Sequence, residues 1–189
     1  MLRILLVVVL LVSGCGDGAQ KFNSVDITGA NYARDFALTD HTGARRTLAD
    51  YRGKVVAVFF GFTQCPDVCP TTLSDLAQVR KRLGSDGERL QVIFITVDPE
   101  RDSQTILQRY VPSFDPSFVA LYGSAEQTAA TAKEFKVFYQ KVGGRTATSY
   151  SIDHTAGTYV FDREGRVRLF VRHGEGVEPL AADLKRFLS

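Results

Sequence analysis

Methionine is confined to Met1 and tryptophan is absent. A chain trimmed at its N-terminus therefore has no thioether to offer a metal. Cysteine is scarce as well: three residues are too few for a disulfide framework or a four-cysteine zinc module. Neither sign of charge dominates. The 23 Lys plus Arg stand against 21 Asp plus Glu, and a formal net charge of +2 gives no electrostatic ground for a nucleic-acid partner. With 6 Pro and 16 Gly in 189 residues, 44% of them hydrophobic, the composition excludes a disordered or collagen-like chain. That length suits one domain with room for a tail, at roughly 100–200 residues per domain.

One long apolar run is present, ILLVVVLLV over residues 4–12. It is too short to span a bilayer and has the length of a signal-peptide core. Arg3 precedes it and Val12-Ser13-Gly14-Cys15 follows it. Two small residues before a cysteine resemble a bacterial lipobox, cut before the cysteine and acylated on its thiol. The expected layout is a lipoprotein-type signal peptide over 1–14, lipidated Cys15 with a flexible Gly-rich tether over 15–30, and the folded domain over 31–189. A plain secretory signal with an incidental cysteine is the alternative. The lipobox reading puts the domain outside the cytoplasm, on the periplasmic side of a bacterial membrane. Cys65 and Cys69 then sit in a compartment that oxidises exposed thiols.

Apolar runs over 55–60 and 90–97 predict two buried strands. Helices are expected over 71–83 with Gly84 as the stop, over 103–110, over 124–135 with Ser124 as N-cap, and over 178–188. Residues 35–48 read as an N-terminal hairpin, 137–142 and 158–161 as strands, and 167–171 as the return arm of a second hairpin. The alternation implies an α/β fold with a mixed sheet covered on both faces. Asp98-Pro99-Glu100-Arg101-Asp102 is expected as a strand-exit turn, with Asp102 or Ser103 capping the next helix. Period-2 spacing keeps Phe59, Phe60 and Phe62 from all facing the core, so at least one is expected to shield the site from water while most pack inside.

The chemistry is expected where the first buried strand runs into a helix. Cys65 and Cys69 stand four positions apart. In a helical first turn their Cβ atoms would be about 5–6 Å apart, close enough for a disulfide or for one metal ion between two sulfurs. A helix N-terminus favours thiolate over thiol. A structural disulfide is the plainer reading, but so small a loop confers little entropic stabilisation. Of the histidines, His41 and His173 are expected to face solvent, and His154 lies just before a strand.

The runs FFGFTQCPDVCPTTL, FITVDPERD and YVPSFDPSF, with Asp153-His154-Thr155 before a strand, resemble the Sco/SenC family over about residues 35–171. The resemblance implies a thioredoxin-like fold, a central mixed β-sheet flanked by helices with an N-terminal hairpin extension. It implies one copper ion per chain, Cu(I) or Cu(II), held by Cys65, Cys69 and His154. It implies the copper domain of cytochrome c oxidase subunit II as partner, with copper delivered to its dinuclear centre or the thiols of that centre kept reduced. Other copper chaperones or thiol reductants are further partners on this reading. His154 would occupy the place of the cis-proline that faces the redox cysteines in that fold. Two thiolates and an imidazole suit Cu(I), whereas zinc would need a fourth ligand. Asp67 and Asp153 are the carboxylates that could supply or support one, Asp153 equally well as a turn cap. The competing functions are a membrane-anchored thiol–disulfide oxidoreductase, with Cys65 attacking and Cys69 resolving, and a peroxiredoxin-type peroxidase. The peroxidase leaves His154 without a role.

Overall fold

The computed structural model describes residues 21–144 and 149–188. The expected signal peptide, Cys15 and the first part of the tether lie outside them. Strand β1 (Val25–Asp26) is followed by the hairpin β2 (Ala37–Asp40) and β3 (Arg45–Thr47). Next come β4 (Val55–Gly61), helix α1 (Val68–Arg82), β5 (Leu90–Thr96) and α2 (Gln104–Tyr110). Then follow β6 (Val119–Tyr122), α3 (Ala125–Glu134), β7 (Tyr139–Val142), β8 (Ser151–His154), β9 (Gly157–Phe161), β10 (Val167–Arg172) and α4 (Val177–Leu188).

Every residue of β4 and β5 is buried, which a strand achieves only when both faces of its sheet are covered. They pair in parallel at the centre of an eight-stranded sheet of order β1-β10-β9-β4-β5-β6-β2-β3. The β5–β6 pair is also parallel, and the flanking pairs are antiparallel. This is the mixed, helix-flanked sheet of a thioredoxin-like α/β fold. The three phenylalanines follow from that cover. Phe59 meets Phe94 on one face, Phe60 meets Phe135 on the other, and all of Phe59, Phe60 and Phe62 are at most 2% exposed. All three can be buried because the sheet is covered on both faces.

Local signals set the helix ends. Ser103 Oγ accepts from the Ile106 N–H at the start of α2, so Ser103 rather than Asp102 is the cap. Ser124 and Gln127 form a capping box on α3. Gly84, at φ +60°, ends α1 where a left-handed residue is needed. Helix α1 begins at Val68, earlier than expected, and so contains Cys69.

The folded part also begins earlier than residue 31. Val25 and Asp26 pair with Phe170 and Leu169 on the sheet edge. The buried Asp183 carboxylate of α4 accepts from Asn23 N–H, Asn23 Nδ2 and Ser24 N–H at 3.1, 3.0 and 2.8 Å. Phe22 stacks on Phe187 with ring centroids 5.3 Å apart. A two-residue strand carries no periodicity, so nothing local in the sequence marked it. Among the described residues, no helix is long and apolar enough to cross a membrane.

Candidate metal centre

Strand β4 ends at Gly61, where the lack of a side chain leaves room for the site. A Cβ at Gly61 would lie 2.7 Å from Cys69 Sγ and 2.9 Å from the Phe94 ring. The loop that follows delivers Cys65, which is partly exposed, and α1 delivers Cys69, which is 0% exposed. Both are free thiols. The Cys69 N–H points at Cys65 Sγ, 3.4 Å away, so an orphan donor of the helix N-terminus faces the first sulfur.

The third donor arrives from a separate element. Strands β7 and β8 form an antiparallel two-stranded hairpin outside the main sheet, pairing Tyr139 with His154. His154 is therefore the last residue of a strand, not part of a loop. Its Nε2 lies 3.6 Å from Cys69 Sγ. Its Nδ1 lies 3.1 Å from the Thr155 carbonyl oxygen, which can only accept, so the proton sits on Nδ1 and the Nε2 lone pair faces the sulfur. The rings of Phe59 and Phe62 stand at 6.0 Å from the imidazole, both edge-on.

The Cys65, Cys69 and His154 donor atoms all lie within 4.8 Å of one another. Bonds of ~2.0–2.3 Å in a trigonal arrangement would separate donors by roughly 3.5–4 Å, so a small adjustment closes the three on one ion. Among the described residues no carboxylate joins the group. Two sulfurs and one imidazole suit a soft, three-coordinate cation, and zinc would lack its fourth ligand.

Burial governs the electrostatics. It pushes the Cys69 thiol far up, the charge of Cys65 adds to this, and a backbone hydrogen bond with Phe62 offsets only part. The expectation of a thiolate-favouring helix end fails for Cys69, because desolvation outweighs the helix dipole at a fully buried sulfur. Burial also lowers His154 below its ordinary value, against opposing contributions from the Thr155 carbonyl and Asp153. The imidazole is thus neutral at pH 7 and able to ligate.

The two candidate supporting carboxylates do not reach the cluster. Asp67 is exposed at the head of α1, where it accepts from Thr71 Oγ1 at 3.4 Å. Asp153 is exposed on the face of β8 opposite Ile152 and His154, as strand alternation requires. The group that orients the imidazole is a backbone carbonyl, which no sequence pattern marks. Of the other histidines, His41 is half-buried rather than solvent-facing, and its Nδ1 accepts from the Ala120 N–H at 3.0 Å. His173 is exposed, 3.1 Å from Thr72 Oγ1.

The turn after β5 does more than cap a helix. Asp102, 1% exposed, accepts from Thr63 N–H, Thr63 Oγ1 and Thr96 Oγ1 at 3.0, 2.6 and 2.6 Å. It thereby pins the cysteine loop to the end of β5. Burial raises its carboxyl, and the hydrogen bonds from Thr63 and Thr96 pull the other way.

Comparison with known proteins agrees with this geometry. The family model described as SCO1/SenC matches residues 25–189. The mouse (Mus musculus) mitochondrial protein SCO2 homolog is 36% identical over 157 residues, covering 82% of this chain and 62% of its own length. The chain thus spans somewhat under two thirds of that relative. Among solved structures, Bradyrhizobium japonicum ScoI with copper bound superposes with a TM-score of 0.74 at 39% identity, covering 81% of this chain and 97% of that one. Apo Sco1 from Thermus thermophilus gives 0.79 at 42% identity, covering 89% and 99%.

Proposed function

Because the chain belongs to the SCO1/SenC family, we propose that it is a copper metallochaperone holding one ion, as Cu(I) or Cu(II), through Cys65, Cys69 and His154. The observation that carries this reading is the 3.6 Å approach of His154 Nε2 to Cys69 Sγ, across 85 residues of chain, with its proton parked on the far nitrogen. A dithiol exchanger has no use for that imidazole. The copper-bound ScoI relative supports the choice of metal. The proposed recipient is the dinuclear copper centre of cytochrome c oxidase subunit II, with other copper chaperones as copper donors and thiol reductants as partners that keep Cys65 and Cys69 reduced. Copper is cargo here. Cys65, the more accessible sulfur, is where an incoming partner thiolate reaches a three-coordinate site with room for a fourth donor. We also propose that Cys15 carries a lipid after removal of residues 1–14, which would keep the domain at the outer face of the membrane.

A second reading draws on the asymmetry of the two thiols. Cys65 is accessible and Cys69 buried behind it, the arrangement of an attacking and a resolving cysteine. A Cys65 thiolate would attack a client disulfide and release one client thiolate. Cys69 would then displace the second as the Cys65–Cys69 disulfide forms, so that the client gains two electrons and this pair loses them.

Replacing His154 with Ala separates the two. Copper retention should fall sharply, measured as bound Cu(I) and Cu(II) per chain after gel filtration, while reduction of insulin disulfides is unchanged. Copper retention equal to wild type would rule out the metallochaperone and leave the dithiol reading.

A further inference from the structure

Hairpin β7–β8 brings the imidazole to the sulfurs, yet it pairs with no strand of the main sheet. A two-stranded hairpin alone is marginally stable in water. Near His154 it is held by Ile152, which is buried, and by two hydrogen bonds between Phe138 and Thr155. At its other end Lys141 Nζ meets Glu100 Oε1 at 2.6 Å in an exposed pair, and one side chain of the turn after β5 reaches it from a buried position.

That side chain is Arg101. Its Nε donates to Asp98 Oδ2 at 2.5 Å, and its Nη1 donates to the Tyr150 carbonyl at 2.8 Å and to Gln64 Oε1 at 3.1 Å. The guanidinium lies 3.6 Å from the centre of the Tyr150 ring. The Tyr150 hydroxyl closes the circuit by donating to Asp98 Oδ1 at 2.6 Å. The Asp98 side chain is 0% exposed and that of Arg101 10%. Gln64 adjoins Cys65, and Tyr150 immediately precedes β8, four residues before His154. One planar cation therefore touches both the loop of the sulfurs and the hairpin of the imidazole. Burying such a pair costs desolvation, and what it supplies in return is fixed geometry.

We propose that Arg101, seated on Asp98 and Tyr150, is a positioning residue for His154. It holds the hairpin against the cysteine loop, and so governs how tightly the imidazole closes the metal site. The inference rests on the metal-site reading above.

The test is a double-mutant cycle on the full chain in detergent micelles. Cu(I) affinity is measured by competition with a chromophoric chelator for wild type, Arg101→Ala, Tyr150→Ala, His154→Ala and the two doubles with His154→Ala. Arg101→Ala and Tyr150→Ala should each weaken binding by about 10–100-fold, the usual effect of losing a ligand's supporting contacts. Neither should weaken it further once His154 is gone. The Cu(II) electron paramagnetic resonance spectrum of either single variant should lose intensity in the nitrogen splitting from the imidazole. Removing Arg101 strands the buried Asp98 carboxylate, so Tyr150→Ala, at a half-buried position, carries the test where Arg101→Ala does not fold. Equal weakening with and without His154 would assign the effect to the cysteine loop or to general loosening, and would overturn the proposal. So would unchanged affinity in Tyr150→Ala alongside a weakened His154→Ala. If His154→Ala binds as tightly as wild type, the metal reading itself fails and the brace falls with it.

Discussion

A methyl group placed at Gly61 tests whether the floor of the site is as tightly built as its distances state. The new Cβ would meet Cys69 Sγ at 2.7 Å, Phe94 Cε2 at 2.9 Å and Phe59 Cε1 at 3.0 Å. Optimal carbon contacts lie at about 3.5–4.0 Å, so each neighbour would have to retreat by roughly half an ångström to one ångström. None has room, because Cys69, Phe94 and Phe59 are all 0% exposed. Overpacking of a filled core costs ~1–3 kcal/mol, and three simultaneous overlaps put Gly61→Ala at about 3 kcal/mol. With a urea slope of ~1–3 kcal/mol per molar, the unfolding midpoint should fall by ~1–3 M. The easiest escape is for the sulfur to move, so Cu(I) affinity should drop as well, by about tenfold where the Cys69–His154 approach is lost. Gly143→Ala is the matched control, since a Cβ there meets nothing within 4 Å. An unchanged midpoint and unchanged copper affinity in Gly61→Ala would refute the claim that the sulfur is wedged in place by the sheet beneath it.

Metal binding at pH 7 should release at least one proton per Cu(I), because burial keeps the Cys69 thiol protonated in the free protein; calorimetry in buffers of different ionisation enthalpy reads this directly, and zero release would contradict it. Affinity should accordingly rise with pH between 6 and 8. The two thiols should differ in alkylation by iodoacetamide, with Cys65 modified first and Cys69 at least tenfold slower, its sulfur being both inaccessible and protonated; mass spectrometry of partly labelled protein tells them apart. Asp40 sets an acid limit on the fold. Burial pushes its carboxyl up, but bonds from Thr42, Arg46 and Ala44 outweigh this and hold it at about 2 against an ordinary 3.8. A depressed value of this size contributes about 2 kcal/mol above pH ~5, lost as pH falls through 3.8 toward 2. Asp40→Asn should be less stable at pH 7 by a similar amount and flatter between pH 5 and 2, as urea titrations at each pH would show.

What could be read from the sequence is what local patterning writes. Strands β4 and β5 announce themselves as unbroken apolar runs, and the ends of α2 and α3 as serines with partners three residues on. His154 was different. Nothing in its own surroundings sets it apart from His41; only its place before a strand and the family resemblance mark it. The contacts that could not be read are the buried polar ones. Asp98, Arg101 and Asp102 look like an ordinary turn until Thr63, Gln64 and Tyr150 arrive from 37 to 52 residues away. Those partners are brought by packing, which no short window of residues encodes.

The stitching of Asn23 and Ser24 onto Asp183 has a bearing on how the protein is made. A polypeptide leaves the ribosome, or a translocon, with its beginning first, and these partners are separated by up to 160 positions. Asn23 and Ser24 consequently wait without these partners until the last helix has emerged, although the strand that follows them can pair with β10 sooner. Docking of Asn23 and Ser24 is then a late step of maturation, and a nascent chain stalled short of residue 183 would leave that stretch exposed to proteases although the cysteines and the histidine were already out.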